Sequence, residues 1–203
     1  MRIGIFGGTF DPIHNAHLFV AESARILERL DRVLFVPTTN QHYREKPQVD
    51  AVHRCAMILG AIAGNEAFAL DETDLRPDAT GYTADLLPRL RAKFDGSGLT
   101  FIIGADSLVN TPWMRFNEVL EGLERFVIAP RAGVRADALA RVISAVPATL
   151  RARLSSLNMP EIPESSTLIR GLISQGRSIR YLVPELVWQY IVAQRLYGYS
   201  EVG

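Results

Sequence analysis

Two histidines three residues apart, His14 and His17, follow the turn Gly7-Gly-Thr-Phe-Asp-Pro12 where an apolar helical pattern begins. At that spacing both rings project from one face of the first helical turn. The helix start adds free N–H groups and a partial positive charge, which favour an anion by about 0.3–1 kcal/mol and by more when partly buried. Gly7 and Gly8 let backbone approach a ligand closely and tolerate positive φ. Two imidazoles aimed at such a spot point to a polyphosphate. Either histidine alone, or the glycine pair alone, reads equally well as local structure, and it is the combination beside Gly-Gly-Thr and Asp-Pro that carries function. A metal centre is the competing reading, but tight zinc sites need three or four protein ligands. No nearby Cys or Glu completes such a set.

A second group lies far along the chain. Ser165, Ser166 and Thr167 offer hydroxyls and free amides at a helix start, with Arg170 one turn on, and together they make a second anion cradle. An ordinary N-cap accounts for one Ser or Thr but not for all four groups. Between the two cradles, Gly104 and Asp106 follow an apolar strand. There glycine permits close approach and a carboxylate can accept from ribose hydroxyls. Trp113, taken by itself, reads as core packing.

These groups need a frame to hold them. Arg2-Ile-Gly-Ile-Phe6 and Arg32-Val-Leu-Phe-Val-Pro37 read as short buried strands, and Ala16 to Arg29 between them has helical spacing. Further strands follow at Phe68-Ala-Leu-Asp71, Leu99-Thr-Phe-Ile-Ile-Gly104 and Arg125-Phe-Val-Ile-Ala129. They are separated by helical patterns at Asp50 to Ala63, at Thr83 to Phe94 and after Trp113. Such alternation gives an α/β architecture, an open parallel sheet with right-handed crossovers and helices on both faces. Ala132 to Leu157 reads as one or two helices and a short strand, and a final helix spans about Pro184 to Tyr197. With no internal repeat or low-complexity linker, residues 1–203 are expected to form a single domain.

Composition narrows the classes. The 22 basic and 22 acidic residues cancel, so no overall positive field gathers nucleic acid and any anion must be held locally. No apolar run approaches a membrane span, and Asp11 comes too early for a secretory leader. The lone Cys55 sits in an apolar helical pattern, reads as a small buried hydrophobe, and suits a reducing cytoplasm. Homo-oligomerisation stays open.

Gly7-Gly-Thr-Phe-Asp-Pro-Ile-His-Asn-Ala-His17 resembles the signature of the nucleotidyltransferase superfamily. The rest of the chain is similar to the bacterial nicotinate-nucleotide adenylyltransferase family. It shares Val36-Pro37, His53-Arg54 with Met57, Gly81-Tyr-Thr-Ala-Asp85, Ile102-Ile-Gly-Ala-Asp-Ser-Leu108 with Trp113, Ser165-Ser-Thr-Leu-Ile-Arg170 and Leu182 to Ile191.

The resemblance implies a Rossmann-like sheet with a small C-terminal helical portion, and adenylyl transfer from ATP to nicotinate mononucleotide with Mg²⁺ carried on the ATP phosphates. It places Gly7, Gly8, Thr9, Phe10, His14, His17, Gly104, Asp106, Ser166, Thr167 and Arg170 around ATP. His17 meets the α-phosphate, His14 the outer phosphates, and both are the catalytic candidates. Thr167 and Arg170 hold the β- and γ-phosphates, and Gly104 and Asp106 the ribose. Arg44, Tyr82, Thr83 and Trp113 fall to the acceptor, Trp113 by stacking on the pyridine. The chain departs from the family pattern at Ala16, at Gln41-His-Tyr-Arg44, at Gly81, at Glu164 and at Pro130-Arg-Ala-Gly133. Most of these lie on the acceptor side, which leaves other acceptors open: nicotinamide mononucleotide first, then phosphopantetheine or a sugar or polyol phosphate. A nucleotide-binding module without turnover is the rival from another class.

Overall fold

The structure is a computed structural model and describes residues 1–38 and 47–200. In chain order its elements are β1 (Arg2–Gly8), α1 (Asn15–Leu27), β2 (Arg32–Pro37), α2 (Ala51–Ile62), β3 (Phe68–Leu70) and α3 (Thr83–Lys93). They continue with β4 (Gly98–Gly104), α4 (Ala105–Asn110), α5 (Phe116–Glu121), β5 (Arg125–Ala129), α6 (Ala136–Ala145) and α7 (Ala148–Arg151). Last come β6 (Leu154–Ser156), α8 (Ser166–Ser174) and α9 (Glu185–Ala193).

The strands form one sheet in the order β3-β2-β1-β4-β5-β6, and every neighbouring pair is parallel. This is the Rossmann-like α/β arrangement. The chain builds outward from β1 to β3, then returns to lay β4 against the other edge of β1. Strand order therefore reverses between β1 and β4, and at such a reversal the helices diverge and open a crevice beyond the carboxyl ends of the strands.

Alternation along each strand explains why both faces are covered. Ile3 and Ile5 of β1 join Leu34, Leu99, Phe101, Phe126 and Ile128 in a cluster sealed by Leu86, Leu87 and Leu90 of α3 and Val119 and Leu120 of α5. Phe6 faces the opposite way, with Val33, Phe35, Ile102 and Val127, under Ala21 and Ala24 of α1, Met57 and Ile58 of α2, Ile169 of α8 and Val187 of α9. A strand buried on both faces must be apolar at nearly every position, which is why these runs are legible in sequence. No helix among the described residues is long and apolar enough to cross a membrane. Cys55 is 7% exposed, and burial foremost pushes its thiol pKa up to about 11.

Two boundaries differ from expectation. A separate helical turn, α4, follows directly on β4, so Asp106 lies in its first turn. The last helix ends at Ala193 instead of near Tyr197. The chain leaves it through Arg195 and Tyr197, both left-handed, because Leu196 is buried and the Tyr197 hydroxyl is drawn onto Asp11 at 2.8 Å.

Gly4, central in β1, has no room for a side chain. A Cβ there would meet Leu30 at 2.8 Å, Ile102 at 3.0 Å and Val33 at 3.3 Å. Overpacking of a close-packed core costs about 1–3 kcal/mol. Gly4→Val is expected to lower unfolding stability by at least that range in urea denaturation, and an unchanged midpoint would contradict this packing.

Candidate active site

A cavity of about 410 Å³ opens at the carboxyl ends of β1, β4 and β5, within the size range of small-molecule sites. Gly7, Gly8, Thr9, Phe10, His14 and His17 line it from the first strand, the turn after it and the start of α1, Gly104 and Asp106 from the end of the fourth strand and the start of α4, and Ser166, Thr167 and Arg170 from α8. The eleven residues expected around ATP therefore share one space, although more than 160 positions separate the ends of that set in sequence. Val20, Met159 and Ile162 add an apolar wall.

The turn between β1 and α1 is fixed through its backbone carbonyls. Arg54 of α2, only 1% exposed, donates Nη1 to the Thr9 carbonyl at 2.7 Å. Arg170 Nη1 donates to the Asp11 carbonyl at 2.7 Å, and the Ser166 hydroxyl to the Pro12 carbonyl at 2.9 Å. The Asp11 side chain, also buried, accepts from the Gln48 amide at 2.7 Å and from Tyr197. Phe10 takes a left-handed conformation with φ 51°, a strained choice for a bulky residue, and its ring lies against Phe6, Phe35 and His17. These three donors take up the carbonyls of Thr9, Asp11 and Pro12.

His14 occupies the N-cap position of α1. Its backbone N–H donates to Nδ1 of His17 at 3.2 Å, which makes His17 Nδ1 an acceptor and leaves the proton of the neutral ring on Nε2. The two rings lie 3.7 Å apart between centroids, tilted by 31°. Burial, then the charge of Arg131, lowers the His14 pKa from 6.5 to about 3. Burial, then His14 and Arg131, holds His17 well below its usual range. Both imidazoles are therefore neutral hydrogen-bonding groups at ordinary pH.

Three buried polar atoms at this cavity have no protein partner: Nδ1 and Nε2 of His14 and Nε of Arg170. Buried polar groups are rarely left so, and all three belong to residues that line the cavity. Arg170 also reaches Thr167 Oγ1 at 3.4 Å, and the Ser165 hydroxyl caps α8 by accepting from the Leu168 amide at 3.1 Å. Across the cavity, Arg131 Nε stands 4.0 Å from Asp106 Oδ2. Gly104 leaves the space this carboxylate uses, since a Cβ there would lie 2.5 Å from Asp106 Oδ1.

The acceptor candidates are placed differently. Tyr82 occupies the N-cap position of α3 and Thr83 begins the helix. Trp113 packs on Phe101, Phe116 and Phe126 and donates its indole N–H to the Ser107 carbonyl at 3.3 Å. None of the three lines the cavity, but the Phe101 ring that touches Trp113 also stands 2.9 Å from the position of a Cβ on Gly7. Arg44, with His42 and Tyr43, lies outside the described residues. Among the described residues no three His, Cys, Asp or Glu side chains group to hold a metal ion.

Sequence reading assigned no role to Asp11, Arg54, Arg131 or Tyr197. The first two stood inside recognised motifs, yet only the fold shows that Arg54 acts on a carbonyl 45 residues away. Nothing in the sequence around Tyr197 marks its partner.

Comparison with known proteins places the chain in a family. Residues 5–172 match the family model described as cytidylyltransferase-like. The chain is 40% identical over 198 residues to the probable nicotinate-nucleotide adenylyltransferase of Thermomicrobium roseum, covering 97% of this chain and 91% of that one. It is 35% identical over 212 residues to the protein of the same name from Halorhodospira halophila, covering 98% and 97%. Among solved structures, Plasmodium falciparum nicotinic acid mononucleotide adenylyltransferase complexed with NaAD matches with TM-score 0.79 over 98% of both chains. At 20% identity that likeness is one of fold.

The histidine pKa values have a measurable consequence. For His14 the folded value lies below the unfolded one, so the unfolded chain takes up the proton first. Its contribution to stability is complete above about pH 6.5 and is lost as pH falls toward about 3. His14→Gln should flatten this stretch of the stability curve, lowering the loss between pH 7 and pH 4 in urea denaturation relative to wild type. Parallel curves would show that His14 is not buried neutral.

Proposed function

The chain belongs to the cytidylyltransferase-like family and, within it, to the nicotinate-nucleotide adenylyltransferases, and from that premise we propose that it moves the AMP moiety of ATP onto nicotinate mononucleotide. The products are nicotinate adenine dinucleotide and pyrophosphate, in NAD biosynthesis. The observation that carries this reading is the convergence of two helix starts, with His14 and His17 on one and Ser166, Thr167 and Arg170 on the other, on one cavity.

Phosphate is a competent nucleophile at neutral pH, so the chemistry asks for position and for stabilisation of charge. The acceptor phosphate attacks the α-phosphorus in line and pyrophosphate leaves with the displaced electron pair. No covalent enzyme intermediate and no general base are needed. His17, its proton on Nε2, donates to an α-phosphate oxygen as charge builds there. His14 meets the outer phosphates, and Ser166, Thr167 and Arg170 hold the departing pyrophosphate. A neutral donor costs less to keep buried than a cation and still strengthens as the transition state gains negative charge.

Asp106 beside Gly104 takes the ribose hydroxyls, and Val20, Met159 and Ile162 offer an apolar surface for the base. Mg²⁺ would be carried on the triphosphate, since no three His, Cys, Asp or Glu side chains group to hold it among the described residues, and would there screen the phosphate charges. Arg44, Tyr82, Thr83 and Trp113 serve the acceptor. The whole chain works as one nucleotidyltransferase domain in a reducing cytoplasm, without nucleic acid or membrane.

With Mg²⁺ and ATP, pyrophosphate release is expected to be much faster with nicotinate mononucleotide than with nicotinamide mononucleotide. Equal rates would refute the acceptor, and ATP binding without release for any acceptor would refute catalysis.

Two variants test the site. His17→Ala should lower kcat at least tenfold, about 1.4 kcal/mol of transition-state stabilisation, with the fold retained by circular dichroism. Arg170→Ala removes charge-assisted bonds worth about 1.5–3 kcal/mol and should lower kcat/KM for ATP about ten- to a hundredfold. Unchanged kinetics in either variant would remove that residue from the site.

A further inference from the structure

Beyond α9 the backbone turns through Arg195 at φ 49° and Tyr197 at φ 59°. Neither is glycine, and such conformations persist in bulky residues only where the surroundings impose them. What the turn achieves is placement. The Tyr197 hydroxyl donates to Asp11 Oδ1 at 2.8 Å across 186 positions of sequence. Asp11 Oδ2 accepts the Gln48 amide at 2.7 Å, and the Asp11 carbonyl accepts Arg170 Nη1 at 2.7 Å. Asp11 is 4% exposed, so these donors, not solvent, orient its carboxylate. Burial, then the Asp11 charge, raises the Tyr197 phenol far above its usual pKa, and it stays a donor throughout the working range. Tyr197 does not line the cavity.

We infer that Tyr197 is a positioning residue for adenylyl transfer: through the Asp11 carboxylate it fixes the Asp11 peptide, and with it the Arg170 guanidinium bound to that peptide's carbonyl, against the outer phosphates of ATP. The inference rests on the reading of the cavity as an ATP site. A latch that only tied down the end of the chain would change stability and leave ATP use alone.

Tyr197→Phe keeps the ring and deletes the one hydroxyl. Tyr190→Phe is the matched control, because it deletes a phenol that meets His53 Nδ1 at 3.0 Å between α2 and α9, away from the cavity. With nicotinate mononucleotide and Mg·ATP, Tyr197→Phe should lower kcat/KM for ATP at least fivefold and leave KM for the acceptor within twofold. Tyr190→Phe should leave both within twofold, whatever either variant does to thermal stability. Asp11→Asn should also weaken ATP use, and Asp11→Asn with Tyr197→Phe should be no worse than Asp11→Asn alone, since the two act through one contact.

Unchanged ATP kinetics in Tyr197→Phe, an equal loss in Tyr190→Phe, or effects that multiply in the double variant would each overturn the inference. If Asp11→Asn fails to fold, the two tyrosine variants decide. If wild type releases no pyrophosphate with any pyridine mononucleotide, the functional reading fails separately. Calorimetry with Mg·ATP on wild type and Tyr197→Phe then decides positioning, several-fold weaker binding supporting it and equal affinity overturning it.

Discussion

The site depends on how the backbone carbonyls of residues 9 to 12 are engaged. A turn of this kind shows a ligand either oxygens or N–H groups, and an anion is repelled by the first and held by the second. Arg54, Arg170 and Ser166 donate to the carbonyls of Thr9, Asp11 and Pro12. These donors come from α2 and α8, elements that pack on the same sheet face as α1. Assembly of that layer is therefore what engages these carbonyls, and the conformation of the turn is a tertiary property of the fold.

Charge follows the same economy. The chain carries as many acidic as basic residues, so attraction of a polyphosphate must come from oriented groups at short range. Neutral imidazoles suit this, because a buried cation beside Arg131 would cost more than the hydrogen bond returns. The His14 amide bonded to His17 Nδ1 fixes which nitrogen carries the proton, so a contact made by the helix start decides the chemistry a side chain can offer.

Much of this was legible in the sequence. The four long apolar runs and the short one at Phe68–Leu70, the Gly7–His17 turn and the Ser165–Arg170 helix start follow from strand burial, glycine geometry and capping, which are local, and the structure forms the strands and helix starts those patterns require. What escaped were interactions whose two halves lie far apart. Arg54 reads as a charged residue on an apolar helix until the Thr9 carbonyl is set opposite it. Arg131 reads as part of a surface turn until β5 brings it to Asp106. The early end of α9 was unreadable for the same reason, since a helical pattern continues through Leu196 and the Tyr197 contact with Asp11 that accompanies the end is 186 positions away in sequence.

Gly7 and Trp113 are linked through the sheet. Phe101 fills the space that the missing side chain of Gly7 leaves, and its ring meets Trp113 on the far side. A larger residue at position 7 would displace Phe101, and displacement of Phe101 would shift Trp113. The absence of a side chain at Gly7 thus sets the depth of the aromatic stack of Phe101 and Trp113. In a close-packed interior such a shift is passed on rather than absorbed, so the geometry of the nucleotide turn and that of the tryptophan are constrained together even though Trp113 does not line the cavity.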